Sequence, residues 1–122
     1  LKGWLHETGQ AAAADDPAAL RALAAQYITE VKGRGGLPRD PVARFHLTNG
    51  AFVHDVHPRA DLSDNGRAGS GGAMVNYLYD PQRITQNHEA FVSSRAVPAS
   101  REVRGLARAA ARRQEGGQGS AA

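Results

Sequence analysis

Asp40-Pro41-Val42-Ala43-Arg44-Phe45-His46-Leu47-Thr48-Asn49-Gly50-Ala51 is the stretch on which the fold turns. Pro38 and Pro41 bias the residues before them toward extended backbone, and Val42 to Leu47 follows as a short run carrying a histidine near its end. Thr48-Asn49-Gly50 reads as a tight connection, because Asn and Gly both tolerate positive φ and Asn-Gly between apolar runs is a strong hairpin signal. The expectation is a strand over 42–47, a second strand over 51–56, and a hairpin joining them. A histidine on such a strand is poised for proton transfer. The plainer alternative is that His46, flanked by Phe45 and Leu47, is a partly buried core residue.

Downstream, 58–72 is rich in Gly, Asp, Ser and Asn and reads as a loop. Ala73 to Tyr79 alternates as a third strand, with Val75, Tyr77 and Tyr79 on one face and Met74, Asn76 and Leu78 on the other. Two tyrosines on one face indicate a small polar site on a sheet. Asp80-Pro81 ends this strand and caps a short helix through about Val92. Ser100 caps a final helix whose inner stripe is Val103, Leu106, Ala107 and Ala110.

Upstream, Asp16 is a good N-cap with Pro17 at the first helical position. Leu20, Leu23, Ala24, Tyr27, Ile28 and Val31 then share a face at 3.6-residue spacing. Gly33, Gly35 and Gly36 stop this helix. Residues 1–7 read as an amphipathic helix with no cap before it, and 9–14 as a linker. The predicted class is α+β, a mixed sheet flanked by helices, with a domain over 1–113 and a disordered tail over 114–122. Set against the entropy of ordering the chain, the apolar surface is marginal. Trp4, Tyr27 and Ile28 are therefore expected to lack a cover, which favours self-association.

The 122 residues suffice for one modest domain. No cysteine is present, which excludes a disulfide framework, a thiolate zinc site and a cysteine nucleophile. No apolar run approaches the roughly 18–20 residues that span a bilayer, and no signal-peptide pattern is present. The expectation is a soluble cytoplasmic protein without a membrane partner. The net charge of +3 comes largely from arginines near the carboxy terminus.

Four constellations invite a chemical reading. His54 and His57 with Asp55 and Asp61 suggest a metal, but strand residues three apart point to opposite faces unless the strand breaks, so no metal is expected. Gly66, Gly69, Gly71 and Gly72 around Arg67 and Ser70 can offer amides to a phosphate, yet the spacing matches no nucleotide-binding fingerprint and fits a plain connecting loop as well. Arg101, Arg104, Arg108 and Arg112 line one face of the last helix, which suits phosphates or simply water. No aromatic residue interleaves with them, so no nucleic-acid partner is expected. Ser63 and Ser70 sit on no nucleophile elbow, which leaves any partner of His46 unassigned.

In order and almost without gaps from Tyr27 through Ala110, the chain resembles the malonyl-CoA decarboxylase family. The matching pieces are Asp40-Pro41-Val42-Ala43-Arg44-Phe45-His46-Leu47, Asn49-Gly50-Ala51, Ala60-Asp61 with Ser63 and Gly66, and Ser70 with Gly72. They continue through Met74-Val75-Asn76-Tyr77-Leu78-Tyr79 and Asn87-His88-Glu89-Ala90-Phe91. The resemblance implies part of a catalytic domain similar in fold to GNAT-type acyltransferases.

It also implies that His46 is the catalytic histidine, working with a serine. Tyr79 matches an active-site tyrosine, and Asn49 matches a motif position that either binds substrate or serves its turn. The implied substrate is malonyl-CoA, with acetyl-CoA and CO₂ as products, no cofactor, and a homo-oligomeric full-length enzyme. Leu1-Lys2-Gly3-Trp4-Leu5 resembles the segment that follows the family's Ser-Pro-x-Pro-Gly-Phe loop, which places the serine ahead of Leu1 and makes this chain a fragment. The 10–20 region is shorter than in the family, and His57-Pro58 stands where many members have Asn-Trp. The competing function is a non-catalytic interaction or oligomerisation remnant of the same fold.

Overall fold

A computed structural model describes residues 1–58 and 73–121; of Ala14 and of 115–121 only the backbone is described. The loop over 59–72, including Asp61, Ser63, Arg67, Ser70 and its glycines, lies outside the described residues. The elements are α1 (Lys2–Glu7), a 3₁₀ segment (Ala11–Asp15), α2 (Pro17–Glu30), a second 3₁₀ segment (Arg34–Gly36), α3 (Pro41–Thr48), β1 (Phe52–Pro58), β2 (Ala73–Leu78), α4 (Ile84–Ser94) and α5 (Arg101–Ala121). The class is α+β, as expected. Among the described residues the sheet has two antiparallel strands rather than a mixed set of three.

The difference lies in 42–47, which is helix. Asp40 is the N-cap: its Oδ2 accepts the Ala43 amide at 2.9 Å, and Pro41 fills the first helical position, where a missing N–H costs nothing. The same Asp-Pro pair opens α2, where Asp16 Oδ1 accepts from Ala18 and Ala19. Asn49-Gly50 ends α3 instead of turning a hairpin. Gly50 adopts φ +91°, its amide reaches the Leu47 carbonyl at 3.1 Å, and the Ala51 amide reaches the His46 carbonyl at 3.1 Å. These paired bonds form a Schellman cap, in which a left-handed residue satisfies the last carbonyls. An added Cβ on Gly50 would lie 2.6 Å from the Ile84 carbonyl oxygen, so the position demands glycine twice over.

The core forms where α2 meets α5 and the sheet. Leu20, Leu23, Tyr27 and Ile28 face inward as the periodicity predicts, and Ala19, Ala22, Ala24 and Ala25 are also buried. Val103, Ala107 and Ala110 are buried on α5, with Leu106 half-covered at the edge. Small side chains on both helices permit close approach of their backbones. Trp4 and Leu5 are buried as well; Trp4 packs on Tyr27 with ring centroids 5.6 Å apart. The expected shortage of cover for Trp4, Tyr27 and Ile28 does not arise: all three are buried, and Trp4 of α1 and Tyr27 of α2 cover each other. The 9–14 stretch, read as a linker, overlaps the first 3₁₀ segment, Ala11–Asp15. Gln114 is tied to Gln26 at 2.9 Å and to Gln10 at 3.3 Å, on a helix that continues to Ala121.

β1 pairs Val53 with Tyr77 and Val56 with Val75, and the register slips between Val53 and Asp55. That bulge at His54 lets two valines three residues apart both enter the core. Ser100 anchors the bulge: its Oγ donates to the His54 carbonyl at 2.8 Å and accepts the Val103 amide at 3.2 Å, which caps α5. Val53 also bonds through its amide to Pro98 and through its carbonyl to Ser100. Asp80 Oδ1 accepts the Gln82 amide, but regular helix begins only at Ile84.

Arg21 joins three elements. Its Nε donates to the Val56 carbonyl at 2.8 Å, and its Nη2 meets Asp55 Oδ1 at 3.0 Å and Glu102 Oε1 at 2.7 Å. The Val56 amide, aided by Arg21, holds the Asp55 carboxyl below its usual range despite partial desolvation. A depressed native pKa contributes stability above the unfolded value near ~3.9, lost as pH falls through the native one. Asp55→Asn should therefore flatten the acid limb of a thermal-stability profile, with a loss at neutral pH of no more than about 1 kcal/mol because the pair is part-exposed. Gly50→Ala should cost at least about 2 kcal/mol, from left-handed strain together with the Ile84 clash. Thermal denaturation across pH checks the first expectation, and chemical denaturation checks the second.

Candidate active site

The C-terminal end of α3 and the end of β2 meet at His46. Ala43 and Leu47, four residues apart, are buried and fix the roll of α3 on the core. That roll leaves Val42 and Phe45 exposed and His46 half-covered. The expectation of a strand-borne histidine is thus corrected to a histidine in the last turn of a helix. Its partners nevertheless come from the strand face that the alternation of 73–79 picked out.

His46 Nδ1 lies 2.7 Å from the Tyr79 hydroxyl. The His46 ring stacks on Tyr77 with centroids 4.3 Å apart and planes 18° from parallel. Phe45 meets the same imidazole edge-on at 5.2 Å. Nε2 has no hydrogen-bond partner among the described residues. When the Tyr79 hydroxyl donates to Nδ1, Nε2 carries the proton and acts as a donor; in the other tautomer Nε2 is the base. Tyr79 is 40% exposed and reaches solvent. Burial, with the negative charge of Asp40 and then Tyr79 adding to it, pushes the Tyr77 phenol well above its ordinary pKa, so that it stays neutral.

The frame under this dyad comes from α4. His88 Nδ1 sits 2.6 Å from the Thr48 carbonyl, and Asn87 Nδ2 donates to the Gly50 carbonyl at 3.3 Å. Both contacts fall within four residues of His46. Asn49 folds back on its own helix, its Nδ2 donating to the Phe45 carbonyl at 2.7 Å. Its amide therefore serves the turn, and Oδ1 has no protein partner among the described residues. Sequence reasoning gave Tyr77 no role beyond sharing a face with Tyr79, and read Asn87 and His88 only as matching motif. The same-face alternation was the available signal for Tyr77. No local pattern announced the α4 contacts.

The other constellations stay apart from this centre. His57 Nε2 lies 3.0 Å from Asn76 Nδ2 and 3.4 Å from Asp55 Oδ2, while His54 packs edge-on to Phe52. The bulge breaks the strand alternation that was expected to separate the two histidines, but their side chains take different partners. Among the described residues no three His, Asp or Glu side chains gather at metal-binding distance. Arg101, Arg104, Arg108 and Arg112 are exposed along α5. No described helix is long and apolar enough to cross a membrane.

The profile of the malonyl-CoA decarboxylase C-terminal domain matches residues 2–116. The chain is 38% identical over 84 residues to the mitochondrial malonyl-CoA decarboxylase of Anser anser anser, and 37% identical over 87 residues to that of Rattus norvegicus. These alignments cover 69% and 71% of this chain, but only 16% and 18% of the relatives, so the chain spans less than a fifth of their length. Among solved structures, malonyl-CoA decarboxylase from Rhodopseudomonas palustris superposes with a TM-score of 0.71 at 43% identity, over 84% of this chain and 23% of that one. The Agrobacterium vitis enzyme gives 0.71 at 38% identity, over 84% and 25%. With the family profile matching residues 2–116 and solved relatives superposing at 38–43% identity, the chain belongs to the malonyl-CoA decarboxylase C-terminal domain family.

Proposed function

We propose that this chain supplies the histidine side of a site that converts malonyl-CoA to acetyl-CoA and CO₂. The observation that carries the reading is the His46–Tyr79 pair, held at 2.7 Å with Nε2 unpartnered among the described residues, in a chain of this family. In the reaction the bond between the carboxylate carbon and the methylene carbon breaks. Its electron pair passes into the thioester carbonyl as an enolate, and CO₂ departs. A proton delivered to the methylene carbon then completes acetyl-CoA. Because the thioester accepts the electrons, no metal or organic cofactor is called for.

The chemistry needs hydrogen-bond donors at the enolate oxygen and a positioned proton. His46 positions the carboxylate or delivers that proton through Nε2, working with a serine that the family resemblance puts ahead of Leu1. Tyr79 sets the imidazole tautomer from Nδ1 and shapes the wall of the site. Asn49 Oδ1 is available to substrate at the rim. The family resemblance also supports a homo-oligomeric complete enzyme, and the proposed location is the cytoplasm.

Acetyl-CoA formation by an enzyme that joins this chain to the segment carrying the serine tests the reading. His46→Ala should lower turnover by about 10²–10⁴-fold, the range expected for loss of a general acid or base. Near-wild-type turnover would overturn the assignment and favour a non-catalytic module. Tyr79→Phe removes one hydrogen bond and leaves the ring, so kcat should fall about tenfold with stability little changed.

A further inference from the structure

We propose that Tyr77 is a positioning residue whose ring face, rather than its hydroxyl, fixes the plane of the His46 imidazole; this rests on His46 acting as proposed above. A hydrogen bond from Nδ1 fixes one point of an imidazole but leaves the ring free to tip about that bond. Tyr79 provides that single point at 2.7 Å. The second constraint is the Tyr77 ring, stacked at 4.3 Å and within 18° of parallel. Together the two contacts determine the direction in which Nε2 points, and Nε2 is the ring nitrogen without a partner among the described residues.

Tyr77 is built to stay in place where Tyr79 is not. It lies inside β2, paired in register with the fully buried Val53, and packs against the core cluster. Tyr79 lies past the end of β2 and is 40% exposed. The Tyr77 hydroxyl takes no hydrogen bond among the described residues, so the packing of its ring accounts for its contact with the site. Its phenol stays neutral because burial disfavours the phenolate. The Tyr77 side of the stack therefore stays uncharged across the ordinary pH range. On the histidine side, Ala43 and Leu47 set the roll of α3, and the α4 contacts set where that helix ends. The imidazole is thus clamped between two elements that are each anchored elsewhere.

The wild-type enzyme gives the first measurement: NMR of the His46 imidazole. Stacking on Tyr77 should displace its carbon-bound protons upfield by ring current, and Nδ1 should report a hydrogen bond to Tyr79. Unshifted protons would overturn the proposal without any substitution. Steady-state kinetics follow. Tyr77→Phe keeps the flat face and should hold kcat within about threefold, whereas Tyr77→Leu, or the more adaptable Tyr77→Met, should lower kcat about 10–100-fold with KM little changed, as expected for misaligned geometry. The Leu and Met variants should also shift the His46 tautomer signal toward that of a free imidazole.

A Leu or Met variant with wild-type kcat and an unchanged His46 signal would overturn the proposal. So would Tyr77→Phe falling as far as Tyr77→Leu, since the hydroxyl would then be the active part. Failure of the function itself reads out separately. His46→Ala retaining turnover removes the catalytic reading, while the ring-current shift and the Tyr77→Phe against Tyr77→Leu contrast in the His46 signal still decide the positioning claim.

Discussion

The reversal at Asn49-Gly50-Ala51 is the constraint from which the site takes its geometry. The cap closes α3 through the Ala51 amide on the His46 carbonyl, and the left-handed Gly50 lies so close to Ile84 that no side chain fits between them. One residue type thus performs two tasks: it ends the helix that carries the histidine, and it lets the start of α4 sit against that end. Asn87 and His88 then bond to the carbonyls of Gly50 and Thr48, which the cap leaves facing α4. Helix-end carbonyls without partners are costly when covered, so these side chains satisfy backbone as well as hold position.

Much of the frame was legible because it rests on local rules. The Asp16-Pro17 start, the inner faces of α2 and α5, the Ser100 cap and the two strands at 52–58 and 73–78 follow from capping preferences and periodicity. The α3 segment was misread although its start signal was the same as that of α2. Phe45, beside the site, is apolar yet 64% exposed, which blurs the apolar pattern of the segment. Remove Phe45 from the pattern and the buried pair Ala43 and Leu47 has helical spacing. Asn-Gly added to the error, since positive φ serves a helix cap as well as a hairpin. A segment of eight residues is too short for periodicity to decide between them.

The bulge at His54 was illegible for a different reason. Val53 and Val56 cannot both face inward from a regular strand, and nothing local to 52–58 announces the extra residue. The cause is tertiary. Val53 is bonded on one side to Pro98 and Ser100 and lies in register with Tyr77 of β2 on the other, while Arg21 takes the Val56 carbonyl and the Asp55 carboxylate. The strand bends to meet partners that arrive from both ends of the chain. In contrast, the tyrosine face of β2 was found by alternation alone, because β2 has no such interruption through Tyr77.

The division between Tyr77 and Tyr79 shows how the fold frames the His46 imidazole. A proton-transfer group needs a fixed orientation and also access to substrate, and one contact rarely supplies both. Here the orientation comes from a ring inside the strand, where register with Val53 leaves it little freedom. The polar contact comes from a residue just past the strand's end, where a hydroxyl can meet both the imidazole and solvent. A buried hydroxyl in the Tyr79 role would bring the desolvation that raises the Tyr77 phenol, and an exposed ring in the Tyr77 role would lack the packing that keeps it parallel to His46. Placing one on each side of the end of β2 satisfies the two demands with successive steps on one face of a single alternation.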